Sequence, residues 1–130
     1  MKRFVYYQPN AKDTRDEYGD CVIRALAKAM DKSWVEVYDT LVSIGRELQC
    51  LPNDKACLER WFAENGFVYS GVSNKKGTKR PTINSFAKSH PEGVYVVRVA
   101  HHLTTIVEGR YYDTWDCGDN AMYGYWYKTK

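Results

Sequence analysis

The sequence predicts an α+β fold, with N-terminal helices packed on a C-terminal antiparallel sheet. Two observations carry that expectation. Between Asp20 and Gly66 apolar residues recur at intervals of three and four, whereas from Val94 onward they fall in short β-branched and aromatic runs separated by turn residues. A third observation sets the scale. At 130 residues, 44% hydrophobic and 15% aromatic, the chain suits a single domain spanning residues 1–130 that buries a core without disulfide or metal staples.

Residues 4–18 hold Pro9, Asn10, Asp13 and Asp16 and keep no sustained period, so a short extended segment followed by a loop is expected. Asp20 is placed to cap a first helix, with Cys21, Val22, Leu26, Ala29 and Met30 on its apolar side and Arg24, Lys28 and Asp31 on its polar side. Ser33 and Glu36 form a capping box that opens a second helix reaching about Arg46, and Trp34, Val37, Tyr38, Leu41 and Ile44 line its apolar face. A third helix starts near Asn53 or Asp54 and ends at Gly66, burying Cys57, Leu58, Trp61 and Phe62. A short strand at Phe67–Tyr69 and a short helix from Thr82 to Ser89 follow, the latter stopped by His90-Pro91. Strands are then expected at 94–99, 103–107, 110–115 and 123–127, with Glu108-Gly109 as a tight hairpin turn.

Composition excludes several functions. Apolar runs are far shorter than the roughly 20 residues of a membrane-spanning helix, so no membrane role is expected. The stretch after Met1-Lys2-Arg3 is broken too early by Gln8-Pro9 for an export signal, which points to a cytoplasmic, reducing setting. Net charge is +3, from 19 basic and 16 acidic residues, too small a surplus to mark a nucleic-acid binder. The one basic cluster, Lys75, Lys76, Lys79 and Arg80, reads first as a solvated loop. The four cysteines, Cys21, Cys50, Cys57 and Cys117, have no zinc-finger spacing. Cys50, Cys57 and Cys117 read as bystanders.

Cys21 is different. A thiol at a helix start feels the positive end of the helix dipole and unpaired backbone N–H groups, which favours the thiolate, although the adjacent Asp20 opposes this. A thiol nucleophile also needs a base, and that base needs an orienting acceptor. If Glu108-Gly109 are the two loop residues, Val107 pairs with Arg110, Thr104 faces Asp113 and His102 faces Trp115. His102 and Asp113 then share a sheet face as a diagonal pair roughly 7–8 Å apart at the backbone. A three-residue loop would instead bring Asp116 opposite His102, so Asp113 is the first choice of orienter and Asp116 the reserve. His101 points the other way.

This order of helix-start Cys, strand His and hairpin-partner Asp resembles the papain-like cysteine peptidase superfamily, in particular its compact bacterial and phage-type branch related to leader-peptide-processing peptidases. The matching segments run from Gly19 to Leu26 and from His102 to Asp116. The resemblance implies a papain-like fold and a peptidase or amidase activity, with Cys21 as nucleophile, His102 as general base and acid, and Asp113 as orienter. It implies a peptide or protein substrate and no cofactor. Arg15 stands where the superfamily usually carries a Gln that donates to the oxyanion, and Asn10 and Gln8 are the nearest upstream amides. Two rival readings are a catalytically silent papain-like protein that binds a partner, and, less favoured, nucleic-acid binding through Lys75 to Arg80. A metal bound by Cys21, His102 and Asp113 ranks lower still, so no metal site is expected.

Overall fold

A computed structural model describes residues 2–73, 77 and 79–128. Strand β1 (Phe4–Tyr6) precedes three helices, α1 (Cys21–Met30), α2 (Trp34–Leu48) and α3 (Lys55–Glu64). Strand β2 (Phe67–Gly71), helix α4 (Ile83–Ser89) and strands β3 (Val94–Val99), β4 (His102–Val107), β5 (Arg110–Asp113) and β6 (Gly124–Lys128) follow. The α+β class is as expected, with helices early and most strands late. Lys75 and Lys76 lie outside the described residues, and no helix among those described is long and apolar enough to cross a membrane.

Two features of the sheet depart from a purely antiparallel C-terminal one. Its order is β1-β5-β4-β3-β6-β2, and β1 pairs parallel with β5. The extended segment at residues 4–6 is therefore part of the sheet, an edge strand too short to show period-two alternation. The last strand, β6, is inserted between β3 and β2. Helices α1 to α3 cover one face, where Leu26, Leu41, Trp61 and Phe62 cluster with Val96 and Leu103. Helix α4 covers the other, where Ile83 and Phe86 meet Val97, Val99 and Ile106. Val96 and Val97 serve opposite cores, as alternation along a central strand requires.

The caps explain the helix limits. Ser33 Oγ accepts from the Glu36 N–H at 3.1 Å and the Glu36 carboxylate accepts from the Ser33 N–H at 3.0 Å, the expected capping box. Helix α2 runs two residues past Arg46, ending where Gln49 adopts φ 57°. Gly66, at φ 78°, reverses the chain after α3. A tight turn follows α2. The Cys50 N–H donates to the Gly45 carbonyl at 3.0 Å, and a Cβ on Gly45 would stand 2.7 Å from the Cys50 carbonyl oxygen.

Gly45→Ala is therefore expected to destabilise the fold despite its better helix propensity. Propensity offers roughly 1 kcal/mol, whereas forcing a buried backbone apart costs roughly 1–3 kcal/mol. A urea midpoint lowered relative to wild type, at unchanged slope, is the expected outcome; a raised midpoint would refute the clash.

Candidate active site

The site sits where the start of α1 meets one end of the sheet. Glu108 and Gly109 take φ 50° and 78°, the paired positive values of a two-residue hairpin turn, and Val107 pairs with Arg110. That register carries Thr104 toward Asp113 and His102 toward Trp115, as the two-residue loop requires. His102 Nε2 lies 2.6 Å from Asp113 Oδ2, and the imidazole packs on Trp115 with ring centroids 5.1 Å apart. The reserve orienter is elsewhere: Asp116 Oδ1 accepts from the Tyr111 hydroxyl at 2.6 Å and from the Gly118 N–H at 3.0 Å. His101 occupies the β3–β4 turn at φ 55° and is exposed.

Cys21 is the first residue of α1 and is half-buried. The first intrahelical bond runs from the Arg24 N–H to the Asp20 carbonyl, so the N–H of Cys21 lies ahead of it. Burial alone would push the thiol up. The hydrogen bond from His102, the backbone N–H of Leu103 and the positive charges of His102 and Arg24 together hold it below the ordinary thiol range. Burial likewise opposes the imidazolium, but the bonds to Asp113, Cys117 and Cys21 outweigh it and raise His102 to about 11. Asp113 is 2% exposed; burial is again overcome, here by His102, by Thr104 and by the Thr114 N–H at 2.7 Å, and the carboxyl is held low. The three shifts all favour the charged forms of thiol, imidazole and carboxyl.

Three contributors went unread in the sequence. Arg24, assigned to the polar side of α1, is only 7% exposed. Its Nη2 reaches Asp113 Oδ1 at 3.4 Å and its Nη1 pairs with Asp20. Asp20 precedes the helix as expected but does not cap it with its side chain, which instead accepts from Arg24 and from the Trp34 indole N–H at 2.8 Å. The signal was present as an i,i+4 Asp–Arg pair, which on an exposed helix is unremarkable. Cys117, read as a bystander, is buried and donates to Asp113 Oδ2 at 3.5 Å. Asp13, buried within the loop ahead of Cys21, accepts from the Glu17 and Tyr18 N–H groups at 2.9 and 3.1 Å and shapes that loop.

The two amide candidates separate. Gln8 Oε1 accepts from the Asn10 N–H, and its amino group is spent on Asp16 at 2.9 Å and Asp13 at 3.4 Å. Asn10 uses its oxygen to accept from the Lys12 N–H at 3.0 Å, and its amino group has no partner among the described residues. In the basic loop, Arg80 packs its guanidinium 4.7 Å over the Tyr123 ring. His102, Asp113 and Cys117 offer ligand atoms within 4.8 Å of one another, enough for a metal by type and distance. A cation there would replace the 2.6 Å bond and sit beside the Arg24 guanidinium, which disfavours it electrostatically. Comparison with protein-family models, with curated proteins and with solved structures returned no match.

The sign of the pH dependence follows from the two shifts. Asp113 is lowered on folding, so its stabilisation is present above the ordinary carboxylate value of ~3.9 and is lost as pH falls through its lower folded value. His102 is raised, so its stabilisation is complete below the ordinary imidazole value of ~6.5 and is lost as pH rises through about 11. Asp113→Asn should remove about 3 kcal/mol of stability near pH 6, since it strips a buried partner from His102 and Arg24. It should also return the imidazole toward its ordinary pKa, as read by ring nitrogen chemical shifts. An unshifted titration would refute the coupling.

Proposed function

We propose that this protein is a papain-like thiol hydrolase of the peptidase or amidase kind, acting on an amide or peptide-like bond. One observation carries the reading: a thiol at a helix start on the same site as an imidazole that a buried carboxylate holds at 2.6 Å. Separately, a strand-end histidine or a buried aspartate is commonplace. Together, on one side of one helix start, they supply a nucleophile, a proton carrier and an orienter.

The Cys21 thiolate attacks the carbonyl carbon and forms a C–S bond while the carbonyl π electrons move to oxygen. The oxyanion is received by the Cys21 N–H, with the uncommitted Asn10 amide as second donor. His102 then gives its proton to the leaving nitrogen as the C–N bond breaks, leaving a thioester. Water attacks that thioester as His102 takes one of its protons, and the C–S bond breaks to return the thiolate. Asp113 holds the ring and its charge throughout. Trp115, 45% exposed, packs against the imidazole at a tilt of 47°. The same site, in a protein that only binds a partner, would need neither the acid thiol nor the protonated ring.

Iodoacetamide labelling across pH, with the alkylated cysteine located by mass spectrometry, tests the reading before any substrate is known. Cys21 should label with a midpoint well below ~8.5 and far faster than Cys50, Cys57 or Cys117. His102→Ala should move the midpoint up toward the ordinary value, and Cys21→Ala should abolish hydrolysis of any amide the wild type cleaves. A Cys21 that labels like an ordinary thiol in the folded protein would overturn the proposal in favour of a binding role.

A further inference from the structure

Arg24 takes no part in the bond-making steps above, yet it touches both sides of the site. We propose that Arg24 is a positioning residue. Its single guanidinium neutralises Asp20 beside the nucleophile and anchors Asp113 behind the imidazole. The inference rests on the thiol–imidazole reading of Cys21 and His102, and adds a residue whose role that reading leaves unassigned.

Arg24 is buried, and its Nε has no hydrogen-bond partner among the described residues. A guanidinium buried with an N–H unmet is a poor structural filler, because an apolar side chain of similar volume would pack there without loss. What an apolar side chain cannot do is hold two carboxylates. On one side, Asp20 Oδ1 pairs with Arg24 and Asp20 Oδ2 accepts from the Trp34 indole. An unpaired carboxylate one residue before Cys21 would favour the neutral thiol; paired in this way, its field at the sulfur is largely cancelled. On the other side, Asp113 Oδ1 takes Arg24 and the Thr114 N–H, which leaves Oδ2 directed at His102 Nε2. The two oxygens divide the work, and the imidazole is held at one angle.

Among the described residues, the charged and titratable groups of the site are His102 from β4, Asp113 from β5, Cys117 from the loop behind it, Asp20 and Arg24 from the start of α1, and Asp13 from the loop before, which faces Arg24. Arg24 carries the one permanent positive charge among them. Lysine, with a compact ammonium in place of a planar fork, can serve one carboxylate but not both.

The experiment uses the full chain and follows thiolate absorbance and iodoacetamide rate against pH for wild type, Arg24→Met, Arg24→Lys and the double variant Asp20→Asn/Arg24→Met. Arg24→Met should raise the Cys21 midpoint by about one pH unit, so that alkylation below both midpoints slows about tenfold. The double variant removes both charges and should recover most of that loss, and Arg24→Lys should fall between. An unchanged midpoint in a folded Arg24→Met protein overturns the proposal, as does a double variant no better than the single one. Should Arg24→Met fail to fold, Arg24→Lys decides, an unchanged midpoint again overturning it. An ordinary thiol already present in the wild type would instead remove the hydrolase reading itself, and the role of Arg24 with it.

Discussion

The seat of α1 across β4 is the constraint on which the rest of this structure depends. The nucleophile candidate belongs to the helix and the base to the strand, 81 residues apart in sequence, so their separation is only as well defined as the helix's position on the sheet. Ala25, Leu26 and Ala27 pack into the core against the sheet, and two buried polar contacts add direction to that packing. Thr105 Oγ1 donates to the Ala25 carbonyl at 2.6 Å, and Arg24, the residue before, reaches Asp113. Hydrogen bonds fail within a fraction of an ångström where van der Waals contact merely weakens. The small side chains of α1 allow the close approach, and the polar pins convert it into a register.

The two cysteines beside His102 show how much local field matters. Cys117 is buried and Cys21 half-buried, and both feel the imidazole, yet their acidities move in opposite directions. Cys21 lies at a helix start, near the Leu103 N–H and the Arg24 charge, and is lowered. Cys117 sits against the Asp113 carboxylate; burial and that negative charge outweigh the imidazole, and it is raised. One site therefore makes one thiol more acidic and the other less so. Burial pushes both thiols up, and the sign of the nearest charges sets their opposite directions.

Much of this was legible in the sequence, for reasons that differ by element. The capping box at Ser33, the β-branched run at 94–99 and the Glu108-Gly109 turn are local signals, and each formed as its neighbours dictated. The turn was the most informative, because hairpin register propagates without loss along a strand and so predicts a contact eleven residues apart. What stayed hidden was non-local. Nothing near Phe4 announces that it will lie parallel to Tyr111, and Arg24 looks solvent-facing until the position of Asp113 is known. Gln8 and Asn10 read alike as amides; the carboxylates of Asp13 and Asp16 that occupy one of them become neighbours only once the loop has closed. A helical wheel can sort polar from apolar, but it cannot tell an exposed cation from one that is to be buried between two anions.

The interior place of β6 bears on when this molecule can exist at all. Trp126 stacks on Phe62 with ring centroids 4.3 Å apart, and β6 gives β2 its strand partner. A nascent chain therefore holds β2 and the helical core incomplete until residues near 126 have left the ribosome. Because synthesis proceeds at roughly 5–20 residues per second, α1 and its thiol wait several seconds before the sheet they rest on can close. During that interval no closed sheet seats Cys21 beside His102. Under the proposed reading, the thiol and its imidazole are brought together late, once β6 has completed the sheet.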